Sequence, residues 1–211
     1  MYYFETVERS TLELLKKLMS DSKMNSFLLV GGTALALRLG HRISVDIDLF
    51  TRLPIISSQM ANHLQLQFDM QIDFMAENTI KGEINGIAID LLSHQYPWNE
   101  SPEVVMGIRL AGLSDIAAMK LNAISGDGTR LKDFIDIAYL SSEISLNQMV
   151  MGYRKKYDNN PVVPLKALVY FDDIHFNVPI KLTGGQEFNW NRIKKRILEM
   201  VNTPDKVFGK L

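Results

Sequence analysis

The chain has 211 residues, 46% of them hydrophobic and 22% charged, and a formal net charge of −1. Such a chain can bury a sizeable core, and it is neither a disordered polyelectrolyte nor a polycation built to coat nucleic acid. It has no cysteine, which excludes disulfides and thiolate zinc sites. No apolar run reaches the roughly 20 residues of a membrane span, and the opening stretch MYYFETVERSTLELL lacks a basic-then-apolar leader pattern. The expectation is a cytoplasmic protein without membrane contact.

Leu12, Leu15, Leu18 and Met19 recur at helical spacing, with Ser10 and Glu13 set as a capping box. Phe27–Val30 is a short apolar run ending at Gly31-Gly32. The alanine- and leucine-rich stretch Thr33–Leu39 follows, closed by Gly40, a pattern of strand, turn and short helix. Val45–Phe50 alternates apolar and acidic residues with strand period, and Ile55–Phe68 reads as helix. Met70–Ala76, Ile80–Ile84 and Ile87–Leu92 are expected strands, the last two joined at Asn85-Gly86 as a hairpin. From Ser114 the pattern turns helical, over Ser114–Ser125, Leu131–Ser141, Leu146–Tyr157 and the basic Trp190–Val201. The reading is an α+β chain with a mixed part, 1–109, and a mainly helical part, 110–211.

Asp46 and Asp48 carry the first chemical signal. Residues i and i+2 of a strand share a face roughly 7 Å apart, so two carboxylates there suit one hard cation such as Mg2+. The same alternation places Val45, Ile47 and Leu49 in the core. Gly31-Gly32 before a helix is the second signal, because glycine lets backbone approach phosphate and a helix start offers free N–H groups to an anion. A third carboxylate would allow two magnesium ions; Asp90 and Asp73, both on expected strands, compete for that role.

Gly31–Leu37 followed by His41–Phe50 closely resembles the signature of the AbiEii-like (abortive infection, type IV toxin–antitoxin) nucleotidyltransferase toxins, in the polymerase-β-like nucleotidyltransferase superfamily. A second block, Ser114–Ala123 with Lys120 and then Arg130–Asp136, is also similar. The resemblance implies a mixed sheet with flanking helices and a helical C-terminal domain. It implies an NTP held by Gly31, Gly32 and neighbouring residues, and Mg2+, as one or two ions, on Asp46, Asp48 and Asp90, which it prefers to Asp73. It further implies that Lys120 faces the phosphates and that Asp133 belongs to the site or its support. Lys132 is raised to a nucleotide-site residue, and Ser44 lies within the first motif. The superfamily turn is usually Gly-Ser; with Gly32 in the second place, Thr33 is left to supply a hydroxyl. The partners implied are an RNA acceptor, with tRNA the obvious case, and a cognate antitoxin.

Ordinary roles stand beside these. Arg42 either meets phosphate or pairs with Asp46 or Asp48, and His41 is a hydrogen-bonder rather than a ligand. Lys120 sits at the edge of an apolar stripe where a solvated lysine is ordinary. Arg130–Asp133 and Lys132–Asp136 have the spacing of helix ion pairs, which leaves Asp136 structural. The basic run Arg192–Arg196 beside Trp190 is where RNA phosphates would be sought. Leu168–Asp173 is weakly similar to the family and has no assigned role. The rival functions are transfer to a protein or small-molecule (aminoglycoside-like) hydroxyl, and a catalytically silent nucleotide-binding scaffold.

Overall fold

The computed structural model describes residues 1–211. Helix α1 (Arg9–Ser20) lays Leu14, Leu15, Leu18 and Met19 on the core. Its cap is Glu8, without a side-chain bond, so the capping box expected from Ser10 and Glu13 does not form. Glu13 reaches back to Arg9 at 2.8 Å instead. Strand β1 (Leu28–Leu29) runs straight into α2 (Gly31–Leu39), whose first residues are the two glycines. Gly40, at φ 67°, closes that helix in the left-handed region.

Strand β2 (Ile47–Thr51) buries Ile47 and Leu49 completely. It starts later than the alternation suggested: Val45 is exposed and Asp46 lies just before the strand. The chain next forms α3 (Ser57–Phe68), β3 (Gln71–Ala76), β4 (Thr79–Ile84) and β5 (Ile87–Ser93). Asn85 and Gly86, both at positive φ, make the predicted hairpin between β4 and β5.

A second hairpin was not anticipated. Strands β6 (Glu103–Val105) and β7 (Ile108–Leu110) turn at Met106-Gly107, again with positive φ at both residues. All seven strands form one mixed sheet in the order β3-β4-β5-β2-β1-β7-β6, with β2 parallel to β5 and β1 antiparallel to β2.

The helical remainder is α4 (Leu113–Gly126), α5 (Leu131–Leu140), α6 (Leu146–Tyr157), α7 (Val162–Leu168) and α8 (Trp190–Asn202). Helix α4 is its centre and packs on α5, α6 and α7. One continuous apolar core runs from Val7 to Leu211, so the sheet and the C-terminal helices share an interior. No helix is long and apolar enough to cross a membrane.

Candidate active site

A cavity of about 290 Å³ lies between the glycine start of α2, the ends of β2 and β5, and helices α4 and α5. Gly31 and Gly32 line it at one side, and each is forced by a close neighbour. Gly31 sits at φ 67°, and a Cβ there would come 2.0 Å from Asp48 Oδ2. At Gly32 a Cβ would come 2.2 Å from Arg42 Nη2. No side chain caps α2, so its first N–H groups are left for an anion in the cavity.

Asp46 and Asp48 both line this cavity. Asp48 is paired in register with Asp90 across the parallel β2–β5 ladder. Burial pushes the Asp48 carboxyl up to about 6; Lys120 and Arg130 oppose the rise, and the charges of Asp90 and Asp46 add to it. Asp90 does not line the cavity, because its carboxylate is held by Lys81 on β4 at 2.5 Å. The three carboxylates expected to share a metal therefore do not converge on one point in this structure. Asp73, the competitor, is on the exposed strand β3, away from the cavity.

Thr33 is also displaced from its expected role. It is buried, and its hydroxyl donates to the Asp46 carbonyl and accepts from Ser44 Oγ at 2.9 Å. Its work is to fix the backbone that presents Asp46, whereas Ser44 does reach the cavity wall.

Behind the wall lies a buried charge network. Arg42 clasps Asp136 with two bonds, Nε to Oδ1 at 2.7 Å and Nη2 to Oδ2 at 3.0 Å. Lys120 Nζ bridges Asp133 at 2.6 Å and Asp136 at 2.7 Å, and His41 Nε2 meets Asp136 Oδ1 at 2.8 Å. Burial acts against the Asp136 charge, yet Arg42 and Lys120 outweigh it and hold the carboxyl well below the usual range. Burial likewise opposes the Lys120 charge, and Asp136 and Asp133 reverse the effect, raising its pKa. For His41 burial prevails over Asp136 and lowers the pKa.

This geometry resolves several open readings. Arg42 pairs with Asp136 rather than with Asp46 or Asp48. The predicted Lys132–Asp136 helix pair is absent, since Asp136 points inward; Arg130 does contact Asp133, Nε to Oδ2 at 3.4 Å. Lys120, far from a solvated lysine, is 6% exposed and both lines the cavity and ties the network. Lys132 and Arg130 reach the cavity from α5 and its cap. Trp190 packs edge-on against Phe134, Phe171 and Phe176 and is not a free stacking platform. That packing also gives Leu168–Asp173 a place, since Phe171 joins α8 to α5.

The family described as nucleotidyl transferase AbiEii toxin, type IV TA system, matches residues 13–83. A protein of Aquifex aeolicus described only as uncharacterized is 34% identical over 174 residues, 79% of this chain and 84% of that one. The chain belongs to the AbiEii nucleotidyltransferase family. Among solved structures, a candidate nucleotidyltransferase from H. pylori shares the fold with a TM-score of 0.55 at 18% identity, over 93% of this chain and 94% of that one. The antibiotic-resistance factor ANT(2'')-Ia shares it with a TM-score of 0.54 at 15% identity, over 69% of this chain and 91% of that one.

In this AbiEii family member three features escaped the sequence reading. Asp136 is the hub of the buried network, not a surface helix partner. Phe50, Leu92, His94 and Tyr157 form an aromatic and apolar part of the cavity wall. His94 and Tyr157 share a hydrogen bond of 3.1 Å although 63 residues apart. Phe50 and Leu92 could have been found, since each lies two residues beyond a site aspartate on the same strand face. No local signal marks the pairing of His94 with Tyr157.

Asp46 and Asp48 offer hard oxygen ligands, and Asp48 has no cation in contact while other carboxylates flank it. That is the arrangement a magnesium ion relieves. Asp46 and Asp48 suit that ion, while Asp90, on the neighbouring strand, is held by Lys81.

Proposed function

We propose that the protein transfers a nucleoside monophosphate from an NTP to an acceptor hydroxyl. The observation that carries this reading is the contact between Gly31 and Asp48. It places an uncapped helix start and an uncompensated carboxylate on one cavity wall, where triphosphate and cation can be held together. Magnesium on Asp46 and Asp48 would neutralise phosphate charge and favour attack at the α-phosphorus. The N–H groups at Gly31 and Gly32 hold phosphate oxygens, and Arg130 and Lys132 add positive charge from α5. Asp90, freed from Lys81, takes the proton of the acceptor hydroxyl. The acceptor oxygen bonds to the α-phosphorus as the bond to pyrophosphate breaks. Triphosphate and cation bind between residues 1–109 and 110–211, the second part completing the cleft.

The acceptor in this reading is RNA, tRNA foremost, and the biological role is the toxin of a bacterial toxin–antitoxin or phage-defence system acting in the cytoplasm, with an antitoxin encoded alongside. Family membership and the basic outer face of α8 support it. The test is incubation of the protein with magnesium, each labelled NTP in turn and total bacterial RNA, beside an Asp46→Ala/Asp48→Ala control. Labelled RNA that vanishes in the control is expected. Labelled protein or aminoglycoside in place of RNA would overturn the acceptor and keep the chemistry. Absence of transfer to every acceptor would overturn the chemistry.

A further inference from the structure

The cavity has two unlike ends. One is built from glycine backbone and charge; the other is apolar and aromatic. Phe50 and His94 lie with ring centroids 5.4 Å apart, and His94 meets Tyr157 edge-on at 5.7 Å. This wall is braced from behind. Lys156, the residue before Tyr157, is fully buried, bonds to Asp115 and to the Pro97 carbonyl at 2.9 Å each, and lies 4.4 Å over the Trp98 ring. The end of α6 and the loop after β5 are thus locked together, and the aromatic wall is preformed.

Helix α4 also lines the cavity, with Met119, Lys120, Asn122 and Ala123. The Asn122 main-chain oxygen accepts a bond from Ser125, while its side-chain amide has no protein partner. A free carboxamide presents a donor and an acceptor side by side, the complement of a base edge.

We infer that the aromatic end is a nucleobase subsite: the base of the bound NTP lies against Phe50, Leu92, His94 and Tyr157, and Asn122 reads its edge. The inference rests on the nucleotide-transfer reading above. An acceptor group is the other conceivable occupant, and the position of Asp90 argues against it. Asp90 does not line the cavity and is held by Lys81 of β4, so the acceptor comes over the β4–β5 side. The aromatic end of the cavity that holds the phosphates is then left to the nucleotide. Flat rings suit bases in general, because every base has a π-face, and selection among bases falls to the polar group at the edge.

The test measures binding of the four NTPs and of inorganic tripolyphosphate, each with magnesium chloride, to the wild-type chain and to Phe50→Leu, His94→Ala and Asn122→Ala, with thermal unfolding as a fold check. Wild-type protein is expected to bind its preferred NTP more tightly than tripolyphosphate. Phe50→Leu and His94→Ala should each weaken NTP binding about tenfold and leave tripolyphosphate unchanged. Asn122→Ala should narrow the spread among the four NTPs, again without effect on tripolyphosphate. Equal losses for NTP and tripolyphosphate, or NTP binding unchanged in all three variants, would overturn the subsite while nucleotide binding stands. Wild-type protein that binds neither NTP nor tripolyphosphate would overturn the nucleotide reading and the subsite with it.

Discussion

Two groups of aspartates lie close together in this molecule and are treated in opposite ways. Asp133 and Asp136 are buried and answered by Arg42 and Lys120, with His41 adding a hydrogen bond. Asp46 and Asp48 line the cavity, and no lysine or arginine contacts either. A buried carboxylate answered by opposite charge holds a shape, whereas a carboxylate left unanswered beside others of its kind costs stability until a cation arrives. The paired group is scaffold and the unpaired group is site. Lys120 belongs to both by position and to the scaffold by bonding, which is why charge type alone could not sort these residues.

The largest expected effect breaks the site without the scaffold. Asp48→Asn should lower nucleotide transfer by at least about 100-fold, the scale at which altered metal sites fail. In metal-free buffer the variant should unfold at the same temperature as wild type or higher, since an uncompensated charge is gone. Magnesium should raise the wild-type unfolding temperature and leave the variant's unmoved. A variant that unfolds early would place Asp48 among the structural residues instead.

The converse experiment breaks the scaffold. Asp136→Asn leaves Arg42 and Lys120 buried with one carboxylate between them, and urea unfolding should report a loss of about 3–5 kcal/mol. The sign of the pH dependence follows from the depressed pKa of Asp136. Its contribution is complete above the unfolded carboxylate value of 3.8 and is lost as pH falls through the folded value. The wild-type chain should therefore lose stability on that acid side, and the variant should show a flatter acid limb.

A smaller effect comes from the aromatic end, where burial keeps a titratable ring neutral. Burial, reinforced by the charge of Lys156, pushes His94 down to about 4 from 6.5. The unfolded chain binds the proton more readily between those values, so this residue makes the fold weaken as pH drops from 6.5 toward 4. His94→Phe should remove that part of the slope in a series of thermal melts. An unchanged slope would mean that His94 protonates freely in the folded chain.

How legible all this was depends on the range of the interaction. The glycine turn, the Asp-x-Asp pair, the Asn85-Gly86 hairpin and the four long helices are written in local pattern, and each is found within a few residues of its expected place. Glu13 shows how local pattern misleads: it fits a capping box with Ser10 and equally an i, i+4 pair with Arg9, and the latter formed. The β6–β7 hairpin was missed because each strand has only three residues, too few for a period to declare itself. Asp136 was misjudged for another reason. Its neighbours on α5 offered a cheap partner in Lys132, while its actual partners come from other elements, Arg42 from the connection after α2 and Lys120 from within α4. Thr33 was given to the ligand because hydroxyls beside glycine turns suit phosphate; burial against Ser44 decided otherwise.

The same contrast, moved to the cations, yields the smallest prediction. Lys120 and Lys132 both line the cavity, and both were assigned to phosphate by the family resemblance. Lys120 is spoken for by two aspartates, whereas Lys132 has no acidic partner and lies at the wall with its charge free. Lys132→Ala should thus weaken NTP binding by less than about tenfold, as befits a partly solvated charge, with stability unchanged to within about 0.5 kcal/mol. The loss should shrink as salt is added, because a charge that solvent reaches is screened. Lys120→Met should do the reverse, costing stability first and affinity only through it. Titrations of both variants with NTP at two salt concentrations, paired with urea unfolding, would show whether an unpaired charge marks the ligand. If Lys132→Ala destabilises the fold and Lys120→Met does not, the paired residue is the site and the contrast is inverted.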